Sequence, residues 1–170
     1  MRRIFSFGIL FFIVVLTYFS ISFSEDTSFS NDSIRLSGSM RSGLIVNIVI
    51  YKKDIGDKYP YGNSLMWGGD DLHMPDTLVS GMDVRIDNVI VFIPLSAYAD
   101  LGNPNAVSLN IKGSAFDIII KGGDASGSYK ATLVFSDGCL RKRKVTGGEF
   151  PDKAWEEAVY SFVANCKKSP

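Results

Sequence analysis

The sequence predicts a mainly β protein: an antiparallel β-sandwich or strongly curved sheet of about six to eight strands, with one or two short helices at its ends. Three observations carry this. The segments around Val107–Ile111, Phe116–Ile120 and Tyr129–Phe135 alternate apolar and polar residues with period two between turn-forming residues. Leu44 to Tyr51 is a run rich in Val and Ile. Asp83 to Ile93 reads as two strand arms meeting at Asp87 and Asn88, residues that tolerate the positive φ of a tight hairpin. At 170 residues the chain fits one domain.

The chain opens on Arg2 and Arg3 followed by Ile4 to Phe23, apolar apart from Ser6, Gly8, Thr17, Ser20 and Ser22. This is the layout of a secretory signal over residues 1–24. Ser22 and Ser24 supply the small side chains that a signal peptidase requires on either side of Phe23, which places cleavage after Ser24. The alternative is an uncleaved anchor, because about twenty apolar residues suffice to cross a ~30 Å hydrocarbon layer as a helix. Either way the domain is expected outside the cytosol.

Residues 25–42 are dominated by Ser, Asp, Asn and Thr, a composition that buries little and predicts a flexible linker. A single β-rich domain is expected over 43–166. It begins with the run from Leu44, read as a central strand covered on both faces. The hairpin follows a long connection. Ser96 to Gly102 then suits one or two helical turns, capped by Ser96 and closed by a left-handed Gly102. In the meander Val107, Leu109 and Ile111 share a face, and the alternating sets of the next two segments repeat it, so one side is buried. Leu140 to Val145 adds a strand, entered through Ser136, Asp137 and Gly138. After Pro151, the Asp152 cap and the spacing of Trp155, Ala158, Val159 and Phe162 favour a helix; period two through Ala158, Tyr160 and Phe162 is the competing strand.

The 18 Lys and Arg balance 18 Asp and Glu, and loss of Arg2 and Arg3 with the signal leaves a net charge of −2. Bulk attraction to nucleic acid is therefore not expected. Cys139 and Cys166 form an even pair beyond the leader, which in an oxidising compartment predicts one disulfide.

Two regions stand out as candidate binding surfaces. The connection from Lys52 to Gly81 holds Tyr59, Tyr61 and Trp67, whose flat amphipathic faces suit a protein or an envelope component, or simply pack the loop onto the sheet. Arg141, Lys142, Arg143 and Lys144 are the densest charge run. As a strand they divide two to each face, so Arg141 and Arg143 would present a basic patch to an acidic partner or anionic envelope surface. Their structural reading is an edge strand whose charges discourage aggregation.

Asp70, Asp71 and His73 make too sparse a set for a metal site. His73 is the single histidine and no G-x-S-x-G elbow accompanies it, so nucleophilic triads lack support. The Gly122–Gly127 loop lacks the Lys-Ser/Thr ending of a phosphate-binding loop. The sequence thus points to a periplasmic or secreted non-catalytic domain, without cofactor, that binds a protein or envelope component. The alternatives are an exported hydrolase using a carboxylate pair and a membrane-tethered structural protein. Cleavage after Ser24 predicts a mature chain beginning at Glu25; intact-mass spectrometry of the purified product checks this, and a chain still carrying Met1 refutes it.

Overall fold

The computed structural model describes residues 25–29, 31–55, 74–161 and 166, and among these lie ten strands. They are β1 (Thr27–Ser28), β2 (Ser33–Ser39), β3 (Ile45–Asp54), β4 (Thr77–Ile86), β5 (Val89–Val91), β6 (Pro104–Lys112), β7 (Ala115–Gly122), β8 (Tyr129–Ser136), β9 (Cys139–Gly147) and β10 (Ala154–Val159). All pairings are antiparallel. One sheet has six strands in the order β1-β6-β7-β8-β9-β10, the other four in the order β2-β3-β4-β5. The two pack face to face as a β-sandwich, and the only helical pieces among the described residues are the 3-10 turns Leu95–Ala97 and Ala125–Gly127.

The expected meander is present. Val107 lies opposite Ile120, Ile118 opposite Leu133 and Phe116 opposite Phe135, and these side chains are buried in a single apolar core. The rings of Phe116 and Phe135 stack with centroids 4.6 Å apart. From the facing sheet, Val46, Ile48, Ile50, Val84 and Ile86 close the same core. A Cβ at Gly38 would stand 3.1 Å from Leu109 Cδ2, so β2 lies close over β6. The hairpins at Asp87 and at Asp137–Gly138 use positive φ, 51° at Asp87, as the residue types imply. Asp87 also ties its turn to β3: Ile45 N–H donates to Asp87 Oδ1 at 2.8 Å.

Several expectations are corrected. Part of the stretch read as a linker, Ser33–Ser39, is an edge strand paired with β3 over seven residues. Ile34 is buried and Leu36 half-buried on its inner side, while Ser and Arg face water. A strand with one covered face and a full backbone ladder needs no more apolar surface than that. Lys52–Asp54 and Thr77–Gly81 prolong β3 and β4, shortening the connection between them. β3 itself is covered on one face: Val46, Ile48 and Ile50 are buried, but Ile45 and Tyr51 are exposed.

Beyond the hairpin, the turn at Leu95–Ala97 follows Pro94, and the left-handed residue is Asn103 (φ 45°) rather than Gly102. Asn103 Oδ1 accepts from Asp76 and Thr77 N–H at 2.9 and 3.1 Å, binding the starts of β4 and β6 together. The tail from Ala154 is a strand, not a helix. Its register slips between Ala154 and Glu156, so Trp155 is the extra residue of a β-bulge, and that insertion breaks the period-two pattern at the start of the strand. Trp155 packs where only glycine fits beneath it, a Cβ at Gly147 falling 2.3 Å from the indole.

The expected disulfide links Cys139 to Cys166 across a sequence separation of 27, with Cα atoms 5.4 Å apart. It carries the chain beyond β10 back to the start of β9, and such a bond fits an oxidising compartment. A loop of this length predicts a loss of about 3.5 kcal/mol in unfolding free energy when the bond is removed. Urea denaturation of wild type and Cys139→Ala/Cys166→Ala measures this, and coincident midpoints would refute it.

Candidate functional site

β9 is an interior strand between β8 and β10, so its charges do not guard an edge. Its register against β8 slips between Phe135–Leu140 and Val134–Lys142, which makes Arg141 a bulge residue. The slip reverses the alternation. Leu140, Arg143 and Val145 consequently turn into the sandwich, opposite Phe135, Leu133 and Ala131, while Lys142 and Lys144 turn out. Arg143 is 1% exposed.

A guanidinium is tolerated inside only when its donors are met. Here the partners come from the crossover between β5 and β6. Arg143 Nη1 donates to Asp100 Oδ1 at 2.6 Å and to the Ser96 carbonyl at 2.8 Å, and Nη2 donates to Asp100 Oδ2 at 2.5 Å. This is a bidentate fork. From β10, Glu156 Oε1 lies 3.3 Å from Nε, close enough for an ion pair but without hydrogen-bond geometry, so Nε is the one guanidinium nitrogen left without a hydrogen bond. Tyr160 Oη donates to the same Ser96 carbonyl at 3.3 Å, and Tyr129 Oη donates to the Gly102 carbonyl at 2.9 Å. Burial by itself lowers the Arg143 pKa, but the hydrogen bonds and charge of Asp100, joined by Glu156, hold it above its ordinary value. Burial likewise raises the Tyr129 phenol, with Asp100 adding to the effect. The cluster pins residues 96–102 over the side of the sandwich.

Arg141 and Arg143 therefore form no common patch. Arg141 is partly exposed and contacts the Ser136 carbonyl and Asp137 at its own hairpin. Lys142 pairs with Glu157 at 2.6 Å. Tyr59, Tyr61 and Trp67, with Asp70, Asp71 and His73, lie outside the described residues. Among the described residues no group of three or more His, Cys, Asp or Glu side chains is placed to hold a metal.

The feature that residue-by-residue reading passed over is apolar. Eight large hydrophobic side chains face solvent among the described residues, and four of them, Val89, Ile90, Phe92 and Leu95, fall on β5 and the few residues after it. Ile90 and Leu95 are each 66% exposed. Among the described residues β5 is the outer strand of the four-stranded sheet, so this strip lies at that sheet's margin. Clustered exposed apolar residues of this kind mark interaction surfaces in soluble proteins. The signal in the sequence was the uncharged run Val89 to Leu95, which reads equally well as a buried hairpin arm.

Comparison of the chain with protein-family models, curated proteins and solved structures finds no match.

The clamp yields an asymmetric prediction. Asp100→Ala strands the buried guanidinium and costs roughly 3 kcal/mol, at the low end for a broken buried pair because Asp100 is one-third exposed. Arg143→Met leaves a carboxylate that water can reach and costs about 1 kcal/mol. Chemical denaturation of both variants measures the order, and an equal or reversed order contradicts it.

Proposed function

We propose that the chain is an exported, non-catalytic binding domain, periplasmic or secreted, that docks a protein of the cell envelope or its surroundings along residues 89–95. The exposed strip of Val89, Ile90, Phe92 and Leu95, on and after the outermost described strand of the four-stranded sheet, carries the reading. An edge strand of this character invites another chain, which is why monomeric proteins place charge or proline there. Here the first charge-free protection is Pro94, five residues after the strand begins. The N-terminal leader and the Cys139–Cys166 bond support export.

A carboxylate hydrolase has weaker support, since Asp100 and Glu156, which converge among the described residues, both serve Arg143. The basic run has likewise lost Arg143 to the interior, leaving the apolar strip as the better docking surface.

The test is a photo-crosslinking amino acid placed at Ile90, with Val159 as control because it is 74% exposed on the other sheet. Illumination of the cells that make the protein should join position 90, and not position 159, to a discrete protein identified by mass spectrometry. Adducts of equal yield at both positions, or none at either, refute docking at this edge.

A further inference from the structure

We infer that the outer face of the six-stranded sheet rests on the anionic phospholipid surface of the membrane that the chain is exported across, held there by Lys121, Lys130 and Lys144. This face belongs to the sheet that does not carry residues 89–95, so the inference stands apart from the docking strip. Ile120, Ala131 and Val145 are buried, and alternation turns the lysines beside them outward. Lys121 stands directly opposite Lys130, and Lys130 is diagonal to Lys144 through the pairs Lys130–Thr146 and Thr132–Lys144. The three cross β7, β8 and β9 within about two strand spacings, ~10 Å.

Such a row works against the sheet that carries it. Like charges directly opposite each other destabilise a strand pair, and no edge is being guarded, because β7, β8 and β9 are all interior strands. Among the described residues this face has three acids, and each is engaged by a lysine: Asp117 by Lys112, Glu157 by Lys142 and Asp26 by Lys121. Lys130 and Lys144 are left with no acid within ion-pair distance. Five lysines against three acids make the face positive, in a chain whose 18 cations and 18 anions balance overall. The Asp26 contact shows what the row accepts. Lys121 holds that carboxyl below its ordinary range against partial burial, and Ser108 and Lys130 add to the effect, so an anionic oxygen is stabilised here.

Position favours a bilayer over other polyanions. Asp26 lies two residues beyond Ser24, the end of the apolar leader, and two extended residues span at most about 7 Å. A leader in the bilayer therefore brings this face to the headgroups, where each lysine near an anionic surface strengthens binding about fivefold. Val159, exposed on the same face opposite Lys142, adds an apolar contact. The attachment is peripheral and reversible.

Sedimentation of the exported chain with lipid vesicles tests this. At low ionic strength, vesicles of mixed phosphatidylglycerol and phosphatidylcholine should carry the chain down, pure phosphatidylcholine vesicles should not, and added salt should release it. A retained leader would bind both kinds alike, so the difference between them reads the lysines. Lys130→Glu/Lys144→Gln should lower the partition by about thirtyfold or more, yet unfold at no lower temperature than wild type, because it removes the Lys121–Lys130 repulsion. Arg35→Glu/Arg85→Gln makes the same change in net charge at exposed positions of the other sheet and should bind as wild type does. Equal binding to both vesicle compositions, binding to neither, or equal losses in the two double variants overturns the inference. Retention by soluble dextran sulfate without binding to phosphatidylglycerol vesicles likewise removes the membrane as the occupant.

Discussion

The guanidinium of Arg143 is the constraint around which the sandwich closes. Two twisted sheets leave an open side wherever their edge strands diverge, and apolar packing alone does not specify what covers it. The answer here is polar. A bulge at Arg141 turns Arg143 inward, and its fork then donates to one carboxylate and one carbonyl from residues 96–100. Geometry of this kind is discriminating where greasy contact is not, since a displaced crossover would leave the charge unpaired in a medium that penalises it heavily. The clamp also gathers three separate parts of the chain, β9, the β5–β6 crossover and β10, at one point.

The sequence is legible where the strands are regular and illegible where a residue is inserted. β6, β7 and most of β8 keep strict alternation, and their inward residues can be read directly. The two principal misreadings, a basic patch at Arg141 and Arg143 and a helix after Pro151, both fall at bulges. One extra residue shifts every later side chain to the opposite face, and nothing in composition announces it. Edge strands are hard for a different reason: Ser33–Ser39 owes its order to its ladder with β3 more than to its two apolar residues.

The apolar strip escaped notice because period and hydrophobicity identify a strand without saying whether it has neighbours on both sides. Val89 to Ile93 looks like core. Its exposure follows from topology, since β5 is the last strand of its sheet and the chain then crosses to the other. The same topology explains the outward Ile45 and Tyr51 of β3, on a face that no second layer of the described residues covers. Around this small sheet the surface departs most from what solvent alone would select.

The disulfide also sets how the domain bears a pull. Tension on the chain beyond Cys166 enters at Cys139, where β8 turns into β9, so it bypasses β10. The outermost strand is then shielded within a covalent loop and is spared the peeling that usually begins at a sheet margin. Tension arriving from the other direction meets β1, held by two paired residues. Mechanically the domain is therefore polar: it yields early when drawn from its leading side and late when drawn from its trailing one.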